Sequence, residues 1–286
     1  MYREIRIRSS LDGLKAYEYE CRDPKAIMCC IHGIGEYFGR YERMAGYMNK
    51  EGIGLIGMDL RGHGHTEGKL GHCTPRKSVL SDIDAMLEYA MEKYRGVPVV
   101  LYGHSMGGNI GLDYRYRGRL NGVPDIYVIS APWIHLVNPV PKPLFQAVKL
   151  LSKVAPKLTI GNDIDEGILG NPESVGSYKD NPLVHNKISA LTAYEGFSIG
   201  NAIYDGKWEK KGIGFEKPLL LMHGDSDMIC DVDGSRRLAE LEGDICEYIE
   251  WKGLYHEIHN GGPESTGEEV IEKMIGWILE KTGSGE

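Results

Sequence analysis

Apolar runs of strand length alternate with apolar residues at helical spacing along most of the chain. Ile5 and Ile7 alternate with charged residues, and Leu14, Ala16, Tyr17 and Tyr19 follow an Asp12-Gly13 turn, so an antiparallel hairpin is expected at one edge of a sheet. Ala26 to Ile31 is continuously apolar, the mark of a strand buried on both faces. Further strands are expected at Ile53 to Leu60, in the Val97-Pro98-Val99-Val100 run, at Asp125 to Ser130, at Pro218 to Gly224 and at Cys246 to Trp251. Between them, helices are expected from Arg43 to Lys50, from Lys77 to Tyr94 with Ile83, Met86, Leu87, Ala90 and Met91 on one face, near Arg236 to Leu241, and from Glu268 to Glu280. Strands that alternate with helices specify a mostly parallel α/β sheet with helices on both faces, because each right-handed crossover needs a helix to cover a face.

The rhythm breaks at Pro132. Prolines at 132, 139, 141 and 143 precede an amphipathic segment around Phe145, Val148, Leu151 and Val154, and a Gly/Asn/Asp-rich stretch occupies 161–182. No strand run is evident there. Residues 1–131 and 212–286 are therefore expected to form one core, with 132–211 an inserted helical cap, or lid, over the sheet. The simpler expectation for the amphipathic segment Leu144 to Val154 is that it packs on its own sheet. With Lys149 and Lys153 on its polar side, it also raises transient contact with a membrane or micelle surface.

Composition narrows the classes. The formal net charge of −8, with no basic run or basic-aromatic interleaving, argues against a nucleic-acid partner. The N-terminal Met1 to Arg8 lacks an apolar signal core and no stretch is long and apolar enough to span a bilayer, so a cytoplasmic location is expected. The six cysteines have neither zinc-ligand spacing nor disulfide-scaffold density, and Cys29 and Cys30 are expected as buried thiols.

Candidate chemistry centres on Leu101-Tyr102-Gly103-His104-Ser105-Met106-Gly107-Gly108, a G-x-S-x-G between a strand and a helix. In that setting the serine sits on a strained turn, and a Cβ at 103 or 107 is expected to collide with it. A serine hydroxyl needs a base that is itself oriented by an acid. Asp225 and Asp227 follow the 218–223 strand, and His256 follows the 246–251 strand, so Ser, Asp and His come in the chain order of the α/β-hydrolase fold. One oxyanion donor is expected from the Met106 N–H, the other from the loop after the 26–31 strand, where Gly33 and Gly35 flank Ile34. Reading His32 to Gly35 as a phosphate cradle fails for want of a following Lys-Ser/Thr. His63 and His65 lack a third ligand, so no metal and no cofactor are expected. Cys230 is expected to be a buried structural thiol rather than a modifiable one.

The motifs His32-Gly33-Ile34-Gly35-Glu36, Gly39-Arg40-Tyr41, Asp59 to Gly64, Gly103 to Gly108, Asn181-Pro182-Leu183-Val184, His223 to Asp227 and Tyr255-His256-Glu257 stand in family order. On these the chain resembles the monoacylglycerol lipase and lysophospholipase branch of the α/β-hydrolases, related to the serine aminopeptidases. The resemblance implies Ser105, Asp227 and His256 as the catalytic triad, and the N–H groups of Ile34 and Met106 as the oxyanion hole. It also implies Glu36, Arg40, His104 and His259 near the leaving-alcohol end of the pocket. The activity it implies is hydrolysis of small hydrophobic esters through an acyl-enzyme. Amide cleavage is the alternative, with Glu36 and Glu166 or Glu173 supplying an acidic pocket, and short-chain or feruloyl esters are another. The stretch 158–182 has fewer bulky apolar residues than a long acyl tunnel needs.

Overall fold

The continuously apolar runs become the middle of one sheet. In the computed structural model, which describes residues 2–161 and 164–283, the strands in chain order are β1 (Tyr2–Ile5), β2 (Ala16–Tyr19), β3 (Ala26–Ile31), β4 (Ile53–Met58), β5 (Val99–His104), β6 (Ile126–Ser130), β7 (Thr159–Gly161), β8 (Lys187–Ser189), β9 (Leu219–Gly224) and β10 (Cys246–Trp251). Eight of them form a sheet in the order β1-β2-β4-β3-β5-β6-β9-β10. β1 and β2 are antiparallel additions at one edge, as the hairpin pattern requires, and the other six run parallel.

Alternate residues of each central strand feed two separate cores. Ile27, Cys29 and Ile31 of β3 pack with α2 (Arg76–Lys93), α3 (Met106–Arg117) and α7 (Val232–Glu242). Ala26, Met28 and Cys30 pack with α1 (Glu42–Lys50) and α8 (Glu268–Lys281). Every side chain of β3 is buried, which is why its sequence shows no polar alternation. The parallel direction brings the C-terminal ends of β3, β5, β9 and β10 to one edge of the sheet, and the chemistry-bearing loops leave from that edge.

The segment between β6 and β9 carries α4 (Lys142–Val154), α5 (Pro172–Val175) and α6 (Ala190–Tyr204). One expectation needs correcting here, and one helix was not anticipated. The segment is not strandless, because β7 and β8 pair as an antiparallel ribbon with Ile160 opposite Ile188. Three-residue strands are too short to print a period-two pattern. The helix is α6, fifteen residues that the pattern did not announce because Gly196 and Gly200 lie inside it. Both are needed for contact: a Cβ at Gly196 would meet the Trp133 ring at 2.6 Å, and one at Gly200 would lie 2.2 Å from the Ile134 carbonyl. Asn162 and Asp163 of the Gly/Asn/Asp-rich stretch lie outside the described residues. Among the described residues, no helix is long and apolar enough to cross a membrane.

Candidate active site

Ser105 leaves β5 at φ 57° and ψ −118°, a region that L residues rarely occupy. Its N–H donates to the Ser130 carbonyl at 3.0 Å, and its own carbonyl accepts from Asn109 at 3.0 Å and Trp133 at 2.9 Å, so neighbours on both sides hold the strained turn. A Cβ at Gly103 would lie 2.3 Å from the Gly107 carbonyl, within the turn itself. One at Gly107 would lie 2.0 Å from the carbonyl of Ile31, on the neighbouring strand β3. The second glycine therefore clears the adjacent strand rather than the serine, which corrects the expectation for that position.

Three side chains converge from three loops. His256 Nε2 is 2.8 Å from Ser105 Oγ, and His256 Nδ1 is 2.6 Å from Asp227 Oδ2. The other oxygen of Asp227 accepts from the N–H groups of Ile229 at 2.7 Å and Cys230 at 3.0 Å, so the carboxylate is aimed as well as buried. Burial works against its charge, but the charge of His256 and hydrogen bonds from His223 and His256 outweigh it and hold the carboxyl well below its ordinary range. For His256 the burial penalty is likewise overcome, by Asp227, and its pKa lies above the ordinary histidine value. His223, which donates to Asp227 at 3.0 Å and is fixed through Ser235 at 2.7 Å, is a member of the site that sequence reasoning missed. It stood inside a quoted motif with no role given to it.

Met106 is the first residue of α3, so its N–H is one of those a helix leaves without an intrahelical acceptor. Across from it, Gly33 lies against Ser105: a Cβ there would be 3.2 Å from Ser105 Cβ. The next residue, Ile34, borders the cavity into which Ser105 opens, an almost wholly apolar space of about 250 Å³. Trp133, Leu136, Val140, Leu144 and Phe197, all from the segment between β6 and β9, form much of its wall. Ile160 and Ile164 also reach it, so the stretch read as poor in bulky residues contributes two of them.

Residues 22–262 match the family model described as serine aminopeptidase, S33. This chain belongs to that family. It is 29% identical to the monoacylglycerol lipase of Mycolicibacterium smegmatis over 259 residues, 90% of this chain and 89% of that one. It is 30% identical to the monoglyceride lipase of Homo sapiens over 267 residues, 91% and 84% of the two chains. The crystal structure of Paleococcus ferrophilus monoacylglycerol lipase superposes with a TM-score of 0.81 at 28% identity, covering 94% of this chain and 99% of that one. The α/β-hydrolase fold and membership among the serine hydrolases follow.

Within this S33 member, Glu36, His104 and His259 are buried and Arg40 nearly so, and none of the four lies on the wall of the apolar cavity. Arg40 bridges Glu36 at 2.7 Å and Glu257 at 2.6 Å, with the Tyr178 ring over its guanidinium. The His104 ring lies 4.9 Å from that of His256 and 5.3 Å from that of His259, centroid to centroid. His259 also stacks on Tyr41. Glu36 accepts from Gly33 N–H, Tyr41 and Arg40, so its carboxylate is already engaged. Among the described residues, the acids, thiols and imidazoles close enough to share an ion are Asp227, Cys230 and His256, two of which already hydrogen-bond each other. His63 and His65 do not form such a group. Cys230 is buried against the cavity, and burial pushes its thiol well above the ordinary pKa.

Proposed function

We propose that the chain is a serine carboxylester hydrolase of monoacylglycerol- or lysophospholipid-like esters. The observation that carries the reading is the unbroken hydrogen-bond line from Asp227 through His256 to Ser105, ending in an apolar cavity. Ser105 Oγ attacks the acyl carbonyl while His256 Nε2 takes its proton, and Asp227 stabilises the imidazolium that forms. The N–H groups of Met106 and Ile34 receive the developing oxyanion. His256 then protonates the leaving alcohol, and a water molecule activated by the same imidazole releases the acid from Ser105.

The names of the relatives support a lipid ester substrate, and the cavity into which Ser105 opens, with the chamber that adjoins it at Ile164, fits its two halves. The acyl chain enters the apolar cavity. The alcohol faces a polar chamber of about 620 Å³, bordered by Tyr178, Lys179, His185 and Asn186, which shares Ile164 with the cavity. Residues 132–211 act as the cap, since they supply most of the acyl wall. A cytoplasmic setting accords with six cysteines that are all free thiols.

Surface contact is part of the same reading. α4 buries Val148 and Ser152 but leaves Leu144, Leu150 and Val154 exposed, with Leu158 and Ile160 beyond its end. Such a face beside the mouth of an acyl cavity suits collection of lipid from an interface. Co-sedimentation with anionic liposomes that disappears in Leu150→Glu/Val154→Glu is the expected result; no binding by the unaltered protein excludes it.

The hydrolytic reading is tested with p-nitrophenyl octanoate and 1-monooctanoylglycerol. Ser105→Ala is expected to lose three or more orders of magnitude in kcat. Turnover near the unaltered rate in that variant would overturn the assignment. Aminoacyl-naphthylamides run beside them separate ester from amide cleavage.

A further inference from the structure

Leu136, Val140 and Phe197 each line two spaces. On one side they bound the cavity of about 250 Å³ that holds Ser105, and on the other a groove of about 560 Å³. The first turn of α4 is divided in the same way, with Leu144 on the cavity and Phe145 on the groove. The partition between the two is therefore a single layer of apolar side chains.

Its parts differ in how firmly they are held. Leu136 is fixed by an antiparallel bridge to Cys230, and the next residue, Val137, donates to the Ile229 carbonyl at 3.0 Å. Val140 stands between Pro139 and Pro141, neither of which has an N–H to anchor the chain. Phe197 is half-buried and meets Trp133 edge-on at 5.0 Å, a contact that survives small ring movements. The yielding part of the wall lies between Val140 and Phe197.

We propose that the groove is a second acyl subsite, filled by the far part of a chain too long for the inner cavity, which passes between Val140 and Phe197. This rests on the hydrolase reading above, because it takes the ester carbonyl to sit at Ser105. The groove's lining combines apolar side chains of Ile134, Val137, Phe145 and Phe197 with polar ones of His135, Gln146, Asn201 and Asp231. A polymethylene chain matches those apolar side chains, and the wall shared with the cavity that holds Ser105 names the occupant. Short chains end inside the cavity and gain nothing from the groove. Each further methylene buried there strengthens binding about fourfold, so the groove sets preference among long chains.

The test compares kcat/KM for p-nitrophenyl butyrate, octanoate and palmitate in the unaltered protein, Asn201→Trp and Val140→Ala. Asn201 is exposed on α6 and borders the groove but not the cavity. Filling the groove with Asn201→Trp is expected to lower the palmitate-to-octanoate ratio about tenfold while the octanoate-to-butyrate ratio moves less than twofold. Thinning the wall with Val140→Ala is expected to raise the palmitate-to-octanoate ratio about threefold. Each ratio is taken within one preparation, so partial loss of folded protein cancels. A palmitate-to-octanoate ratio unmoved in both variants overturns the subsite, as does an equal fall for all chain lengths in Asn201→Trp. Failure of the hydrolase reading looks different: no ester of any length is cleaved, or Ser105→Ala cleaves octanoate at the unaltered rate.

Discussion

Arg40 and Glu257, 217 residues apart, are joined by two hydrogen bonds of 2.6 and 2.9 Å. The same guanidinium holds Glu36 at 2.7 Å, and Glu36 in turn receives the N–H of Gly33 at 2.6 Å. Glu257 follows His256 directly, and Gly33 precedes Ile34. One largely buried cation thus ties the loop that carries His256 to the loop that carries Ile34. Arg40→Met leaves two buried carboxylates without their counter-charge and is expected to cost roughly 3–5 kcal/mol of stability. The measurement is chemical denaturation of Arg40→Met, Glu257→Gln and the double variant. The double variant should lose less than the two single losses added, because part of the Arg40→Met cost is the stranded charge of Glu257.

In the proposed mechanism Asp227 acts on rate through the imidazole of His256. Activity needs His256 neutral, so it falls as pH drops through the pKa of that group, which Asp227 holds above the ordinary value of 6.5. Asp227→Asn removes the raising influence. Its acidic limb is expected at lower pH than in the unaltered protein, with kcat reduced about 10⁴-fold. A kcat/KM profile on octanoate from pH 4.5 to 9 checks both. A limb that stays in place would show that Asp227 does not set the charge of His256.

Gly107→Ala is expected to be the most disruptive single-methyl change at the elbow. The added Cβ would lie 2.0 Å from the Ile31 carbonyl and 2.6 Å from that of His32, and both are backbone atoms that no rotamer can move. Relief requires α3 to part from β3, so a fall in melting temperature should accompany the loss of activity. Gly46→Ala, on α1 with nothing within 4 Å of the new methyl, is the control and should leave melting unchanged or raised.

Acid lability follows from His259, whose pKa is pushed down to about 4 by burial against the partial opposition of Glu257. Between pH 6.5 and 4 the unfolded chain binds a proton that the folded one refuses, so stability is full above this window and declines as pH falls through it. One such group accounts for roughly 3 kcal/mol across the window. His259→Phe keeps the ring against Tyr41 but removes the titration. Its melting temperature should drop less between pH 7 and pH 4.5 than that of the unaltered protein, as read by differential scanning calorimetry.

The amino-acid order alone determined the local and near-local features. Ala26 to Ile31 and Leu219 to Met222 are apolar at every position because both faces of each strand are buried, and that requirement is written residue by residue. The elbow is equally explicit, since its glycines and serine are neighbours in the chain. What contacts between distant residues decide could not be read there. α6 was hidden because its glycines answer to Trp133 and Ile134, more than 60 residues before them, and β7 and β8 exist only through each other. The Arg40–Glu257 pair, the placement of His104 and His259 beside the base, and the wall shared by two cavities are set by how loops from separate strand ends pack together. A side chain's own type fixes what it can donate, accept or bury. Which partner it meets across the sheet edge is a property of the folded chain.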